Sequence, residues 1–206
     1  VNNGSSDPNG DPMTFVLAPA GPFALGTTNV TLTVSDPFGL SSSCNAIVTV
    51  VDNQVPAITC PANMSVNAGV GTCNATVTYT APTGTDNCSG PTTAQIVGLG
   101  SGASFPIGTT VNTFRVTDGA GNTATCSFTV NVIDNQAPII TCPSNIILSA
   151  VTNTCAATAT YSVPVGTDNC PGATTNQSTG LTSGSSFPVG TTVNTFVVTA
   201  GNGATT

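Results

Sequence analysis

Strict alternation of apolar and polar residues marks several short segments of the chain, among them residues 28–35, 74–80 and 124–132. A period of two places apolar side chains on one face of a strand and Thr, Ser and Asn on the other, as a two-layer antiparallel sandwich requires. Frequent turn residues, 15 Pro and 22 Gly, separate these segments and predict an all-β chain. The residues predicted to face the core are Val30, Leu32, Val34, Ala75, Val77, Tyr79, Cys126, Phe128, Val130 and Val132.

The pattern of the chain repeats with a fixed period. Cys44 and Cys126 are 82 positions apart, and the other cysteines follow the same step. Laying residues 52–117 over residues 134–199 requires no gap and gives 42 identities in 66 positions, which shows a tandem duplication. This period is longer than the roughly 20 to 50 residues of solenoid repeats and suits a small autonomous domain.

The period divides the chain into three parts. Residues 1–52 match only the second half of a repeat, residues 53–134 form a complete repeat, and residues 135–206 form a repeat without its last strand. We therefore predict an all-β fold of tandem immunoglobulin-like antiparallel β-sandwich domains with these boundaries. Phe105 and Phe187, each before a Pro, are expected to plug the cores of their repeats. We expect the chain to be cut from a longer array, or its incomplete ends to be completed by neighbouring molecules.

Composition excludes several classes of function. Charged residues make up 4% of the chain, against about 25% in an average domain. One basic residue, Arg115, stands against eight Asp, so nucleic acid is excluded as a partner. No apolar run approaches the roughly 20 residues that a membrane-spanning helix needs. Because the chain has no His, Lys or Glu, it is poor in general acids and bases, and we predict that it is not an enzyme.

A family resemblance covers residues 52–199. The motifs "TCP", "TDNC", "SFPIGTT" and "TDGAGNTATCSF" occur in this order in the complete repeat, which resembles a hyalin repeat, the HYR module. Residues 1–51 also resemble PKD-like domains of bacterial surface proteins. The third part departs at its end, where "VTAGNGATT" replaces "VTDGAGNTATC". The resemblance implies an immunoglobulin-like sandwich, an extracellular location, a link to adhesion, long arrays and no catalysis.

Eight Cys without a CxxC pair or a His indicate disulfides rather than a metal site. Disulfides persist in oxidising compartments, which favours a secreted or cell-surface protein. Four Cys per repeat allow three pairings, and free buried thiols are the alternative. We favour a bond from the first segment of a repeat to the start of its last strand, and a second bond within the repeat. The favoured bonds are Cys60–Cys126, Cys73–Cys88 and Cys155–Cys170, which leave Cys44 and Cys142 without a partner inside the chain.

Six of the eight Asp fall in three register pairs, which suggests a repeated role. In an immunoglobulin-like sandwich the entering linker, the "TDNC" loop and the "TDGAGN" loop meet at one end of the domain. Carboxylate, amide and carbonyl oxygens there would suit Ca²⁺. The alternative is that each Asp caps a turn. The third part has Ala200 where Asp118 would recur, so its site is expected to be weaker or absent. The candidate metal ligands are Asp52, Asp86, Asp118, Asp134 and Asp168.

Asn-x-Ser/Thr sequences supply candidate glycosylation sites in a nearly uncharged exterior that sugar would keep soluble. Chance alone gives several such sequences in a chain so rich in Asn, Ser and Thr. The candidates are Asn3, Asn29, Asn63, Asn74, Asn87 and Asn176.

The sequence as a whole favours a non-enzymatic extracellular structural module of a tandem-repeat stalk, adhesin or self-assembling fibre. The expected partner is the protein itself, through incomplete end domains or end-to-end stacking, with glycans or surface proteins as further candidates. The alternative is a calcium-dependent carbohydrate- or protein-binding module.

Overall fold

The computed structural model describes residues 4–206, so the candidate glycosylation site Asn3 lies outside the described residues. The described residues contain strands and no helix, and thus no helix that could cross a membrane. The protein is therefore all-β, as predicted. The strands are β1 (Thr14–Ala18), β2 (Gly26–Ser35), β3 (Ser41–Val50), β4 (Met64–Asn67), β5 (Asn74–Thr76), β6 (Thr92–Val97), β7 (Ser104–Pro106), β8 (Gly108–Thr117), β9 (Thr123–Ile133), β10 (Ala156–Thr158), β11 (Thr174–Thr179), β12 (Ser186–Pro188) and β13 (Thr195–Thr199).

The complete repeat forms two sheets, one with the strand order β4-β9-β8-β6 and one made of β5 and β7. Strands β5 and β7 pair antiparallel, whereas β4 pairs with β9 in parallel. The sequence predicts antiparallel pairing, and this parallel pair is an exception within the predicted sandwich. It arises because the first strand of the repeat lies beside the last, at the edge of the larger sheet.

The incomplete parts reproduce subsets of the same sheets. In the first part β1, β2 and β3 form one antiparallel sheet in this order, which matches β6, β8 and β9 of the complete repeat. In the third part β10 pairs with β12, and β11 pairs with β13. Residues 146–149, the counterparts of β4, form no strand. The sequence holds no counterpart of β9 in this part, so their backbone lacks the neighbour with which β4 pairs.

The core of the complete repeat lies on the predicted faces of its strands. Phe128, Val130 and Val132 on β9 are buried, as is Val77. Phe105 is fully buried, with 0% of its surface exposed, and confirms the expected plug. Its counterpart Phe187 is only half-buried, since the third part lacks the strand that corresponds to β9.

A buried polar network supports each core. Asn112 has 0% exposure, and its Oδ1 accepts hydrogen bonds from the Leu99 amide (2.8 Å) and the Gln95 side chain (3.1 Å). The Tyr79 hydroxyl donates to the Leu99 carbonyl at 2.6 Å. The third part repeats this arrangement one period later. These repeated polar positions therefore form hydrogen bonds within their own repeats.

The chain divides into two compact units. The first unit combines the chain up to Ile58 with Thr83–Thr93 and Val116–Ala124, and the second contains Thr59–Pro82, Ala94–Arg115 and Thr125–Thr206. This division differs from the sequence period, because the entry loops of the complete repeat group with the segment before them. The domain boundaries drawn from the period therefore stay a prediction.

Candidate functional site

One of the five candidate metal ligands, Asp118, is fully engaged in its own turn. Its Oδ1 accepts hydrogen bonds from the backbone amides of Ala120 (2.9 Å) and Asn122 (2.8 Å), and its Oδ2 accepts one from the Asn122 side chain (2.8 Å). Burial raises the pKa of Asp118, but the hydrogen bonds from Asn122, Gly121 and Ala120 outweigh burial and lower this pKa below its usual value. Asp36 caps the equivalent turn through the amides two and four residues on. Asp118 therefore caps its own turn and lies outside the two side-chain clusters described next, so its role as a metal ligand stays a prediction.

The first junction brings together Asp52 of the entering linker with Asp86 and Cys88 of the "TDNC" loop. One carboxylate oxygen of each Asp and the Cys88 Sγ all lie within 4.8 Å of one another. Each carboxylate also fixes its own loop. Asp52 Oδ1 accepts the Gln54 amide at 3.0 Å, and Asp86 Oδ2 accepts the Cys88 amide at 2.9 Å.

The second junction repeats this cluster with Asp134, Asp168 and Cys170, again within 4.8 Å. Asp134 Oδ1 accepts the Gln136 amide (3.1 Å), and Asp168 Oδ2 accepts the Cys170 amide (3.1 Å). Since Asp118 belongs to neither cluster, Ala200 gives no reason to expect a weaker second site. The relative strength of the two sites therefore stays a prediction.

Short backbone bridges position both clusters. The amide and carbonyl groups of Ala57 and Thr85 exchange two hydrogen bonds of 2.8 Å, and Ile139 and Thr167 pair in the same way. In each case the bridge ends one residue before the loop Asp, which aligns that loop with the linker. The predicted convergence of linker and "TDNC" loop is therefore present at both junctions.

Several carboxylate oxygens in these clusters have no hydrogen-bond partner. They are Asp52 Oδ2, Asp134 Oδ2 and Asp168 Oδ1, each buried from solvent. The Asp134 side chain is 8% exposed, and within residues 4–206 these carboxylates form no ion pair. Converging carboxylate oxygens without a partner are the kind of ligand that a hard cation such as Ca²⁺ prefers.

The thiol in the first cluster is a poor metal ligand. The Asp52 carboxylate beside it, its desolvation and the charges of Asp86 and Asp118 raise the pKa of Cys88. Metal-binding cysteines coordinate as thiolates, so the oxygen atoms define the chemistry of this cluster. In the second cluster Cys170 is engaged in a disulfide and has no thiolate to offer.

The linker and the third part also form hydrogen bonds with a turn of the complete repeat, residues 69–73. The Gln136 side chain donates to the Gly69 carbonyl (3.2 Å) and accepts from the Gly71 amide (3.0 Å). The Asn169 side chain donates to the Thr72 carbonyl (3.0 Å) and lies 3.4 Å from Asp134 Oδ1. We call this set of contacts the clasp.

A disulfide closes the clasp and corrects the predicted pairing. Cys73 is bonded to Cys170, with 5.1 Å between their Cα atoms, so the predicted Cys73–Cys88 and Cys155–Cys170 bonds are absent. The physical reason is position. The turn that holds Cys73 lies at the exit linker, against Gln136, whereas Cys88 lies at the entry linker, against Asp52.

Cys60, Cys126, Cys44 and Cys142 behave as predicted, whereas Cys88 and Cys155 do not. Cys60 is bonded to Cys126, with 5.6 Å between their Cα atoms. Cys44 and Cys142 are free and exposed. Cys88 and Cys155 are free because their predicted partners are engaged with each other.

Sequence reasoning missed two asparagines at the junctions. The Asn122 side chain donates to the Asp52 carbonyl, and the Asn202 side chain donates to the Asp134 carbonyl, both at 3.1 Å. Asn202 is offset by two positions from the register of Asn122, so a fixed period does not reveal the equivalence. The described glycosylation candidates are all exposed, and their glycosylation stays a prediction; they are Asn29, Asn63, Asn74, Asn87 and Asn176.

The sheets and the repeated junctions define a protein of tandem β-sandwich repeats. The family model described as "HYR domain" matches residues 51–132 and 133–206. The chain therefore belongs to the HYR domain family, as its motifs indicate. The family match begins at residue 51, so the resemblance of the first part to PKD-like domains stays a prediction.

Named relatives cover most of the chain but only part of their own length. The chain is 33% identical over 186 residues to hyalin of Strongylocentrotus purpuratus, which covers 88% of the chain and 15% of that protein. It is 33% identical over 151 residues to hyalin of Lytechinus variegatus, covering 71% and 28%. A serine-rich adhesin for platelets of Staphylococcus aureus is 36% identical over 120 residues, covering 51% and 5%. The chain thus spans less than a third of these proteins.

Among solved structures, human CDH23 EC21-23 is similar over 88% of the chain and 72% of its own length. The TM-score is 0.37 and the sequence identity is 16%. The fold assignment therefore depends on the strands and sheets described above.

Proposed function

We propose that the chain is a non-enzymatic structural module of an extracellular tandem-repeat protein, a stalk, adhesin or self-assembling fibre. The clasp is the observation that carries this proposal. A turn of one repeat is bound to the linker and to the next repeat by a disulfide and by side-chain hydrogen bonds. A domain that binds its ligand alone does not require a covalent joint to the next repeat. In an array, such a joint holds successive repeats together.

The extracellular location is supported by chemistry and by relatives. Disulfides are stable in oxidising compartments, and the relatives include proteins named hyalin and serine-rich adhesin. One Arg against eight Asp gives no surface for nucleic acid. The expected partner is the repeat itself, in end-to-end contact.

Electron microscopy of the purified, unreduced protein at rising concentration tests the array function. We expect linear strings of repeats that lengthen with concentration, because joints between successive repeats are directional. A protein that stays as single, compact particles at every concentration contradicts the proposal.

A second candidate function, calcium-dependent binding, is supported by the unpartnered carboxylate oxygens. Asp52 and Asp86 would hold an ion at the first junction, and Asp134 and Asp168 at the second, with carbonyls and water completing the six to eight oxygens that Ca²⁺ takes. Bound Ca²⁺ would offset the mutual repulsion of these charges and stiffen the linkers. A carbohydrate or protein ligand would then bind at the same end of the repeat.

Removing metal from the protein and titrating it with Ca²⁺ in a calorimeter tests this candidate. We expect binding at both junctions, and stabilisation of about 2.7 kcal/mol at a concentration one hundred times the Kd. Asp134→Asn should abolish binding at the second junction. Asp36→Asn is the matched control, because Asp36 caps its own turn and lies in neither cluster. This variant should bind Ca²⁺ as the parent does. Equal heats for the two variants, or no heat at millimolar Ca²⁺, rule the site out.

A further inference from the structure

The Cys73–Cys170 disulfide joins two positions that each recur elsewhere in the chain. One period after Cys73 stands Cys155, and one period before Cys170 stands Cys88. Both recurrences are free cysteines. The chain therefore presents one closed joint and, separately, each half of the same joint.

The turn that presents Cys155 has the structure of the turn that presents Cys73. In both turns a Thr hydroxyl donates to two backbone carbonyls. The two distances are 3.0 and 3.3 Å for the Thr72 hydroxyl, and 2.8 and 3.0 Å for the Thr154 hydroxyl. Gly71 has φ of 71°, and Asn153 in the same place has φ of 64°. Asn is among the few residues that tolerate this left-handed conformation, so the exchange preserves the turn. Cys155 is exposed at its end.

The loop that presents Cys88 likewise has the structure of the loop that presents Cys170. Both cysteine amides are held by the Asp two residues earlier, at 2.9 and 3.1 Å. Both loops are aligned with their linkers by backbone bridges of 2.8–2.9 Å. Gln54 occupies the linker position of Gln136, which holds the turn in the closed joint, and it is exposed. The free loop thus keeps the Asp-to-amide contact and the linker Gln of the closed clasp.

We propose that Cys155 and Cys88 are the two halves of an open clasp, and that its partner is a second copy of this chain joined head to tail. The turn around Cys155 of one copy enters the loop around Cys88 of the next, and a disulfide forms between them. Gln54 holds the incoming turn as Gln136 does in the closed joint. This inference rests on the proposed array function and names the chemistry of its joint.

Closing the clasp requires a two-electron oxidant, and a low-molecular-weight disulfide such as oxidised glutathione supplies it. The Cys155 thiolate attacks that disulfide, forms a mixed disulfide and releases one glutathione thiolate. The Cys88 thiolate of the second copy attacks the Cys155 sulfur and releases the other. Two protein thiols are oxidised to one disulfide, and their protons pass to the two glutathione thiolates.

Two variants of the full chain test the complementarity of the halves. Both carry Cys44→Ser and Cys142→Ser; one also carries Cys155→Ser and keeps Cys88, and the other carries Cys88→Ser and keeps Cys155. The two are mixed in equal amounts in a glutathione redox buffer, and dimers are separated on non-reducing gels and mapped by mass spectrometry. We expect the mixed dimer to exceed the two like-with-like dimers by about tenfold, because only the unlike halves dock. Pairing in chance proportions overturns the proposal.

Gln54→Ala in the variant that keeps Cys88 should lower the yield of mixed dimer several-fold. Asn53→Ala in the same variant, at the exposed neighbouring position of the linker, is the matched control and should leave the yield unchanged. Equal effects of these two substitutions would contradict the role of Gln54. Strings in the microscope with chance pairing on the gel leave the array function intact and overturn this joint. Selective mixed dimers without strings would support this joint and contradict the array function.

Discussion

Replacing Cys60 and Cys126 together with Ser is expected to lower the free energy of unfolding by about 4 kcal/mol. The bond closes a loop with a sequence separation of 66, and the chain-entropy relation gives about this value for a loop of that length. Few aromatic residues, 5% of the chain, leave a modest core to offset the loss. Urea unfolding of the parent and the double variant, both unreduced, measures the difference.

Cys142→Ser is the matched control for this prediction. Cys142 is the register counterpart of Cys60, but it is free and exposed. Its substitution is expected to change the free energy of unfolding by less than about 0.5 kcal/mol. A double variant as stable as the parent would show that the Cys60–Cys126 bond constrains little of the unfolded chain.

Truncation of Phe105 to Ala is expected to lower the free energy of unfolding by about 3–5 kcal/mol. The ring is fully buried, and its removal loses the transfer free energy of the aromatic side chain and leaves a cavity. Phe187→Ala truncates the same position of the third part, where the ring is only half-buried. It is expected to cost distinctly less.

Thermal and urea unfolding of both variants compare the two positions directly. Equal losses would mean that the third part buries its aromatic plug as well as the complete repeat does. A loss below about 1 kcal/mol for Phe105→Ala would contradict the core as described.

The strand faces and the period could be predicted from sequence because they depend on local rules. Alternation places Phe128, Val130 and Val132 on one face whatever the rest of the fold does, and all three are buried. The meeting of Asp52 with Asp86 could be predicted too, because loops at one end of a sandwich are close. These inferences require only the topology.

The cysteine pairing and the role of Asp118 could not be predicted in the same way. Pairing depends on which end of the repeat each turn reaches, and the short strand β5 is preceded by a turn at the exit end that holds Cys73. Whether an Asp is a ligand or a turn former depends on which of its oxygens are already engaged. Asp118 uses both oxygens locally, whereas Asp134 uses only one.

The two disulfides determine how the chain would respond to a pulling force. The bonds Cys60–Cys126 and Cys73–Cys170 overlap along the sequence. The shortest covalent route from Cys60 to Cys170 follows the backbone only to Cys73 and then crosses the sulfur bridge. A force that pulls Cys60 and Cys170 apart can therefore extend only the short backbone segment from Cys60 to Cys73. Residues 74–169 lie outside this route and cannot be drawn out. The oxidised segment from Cys60 to Cys170 would yield little length under load, and reduction would release residues 74–169 as extensible chain.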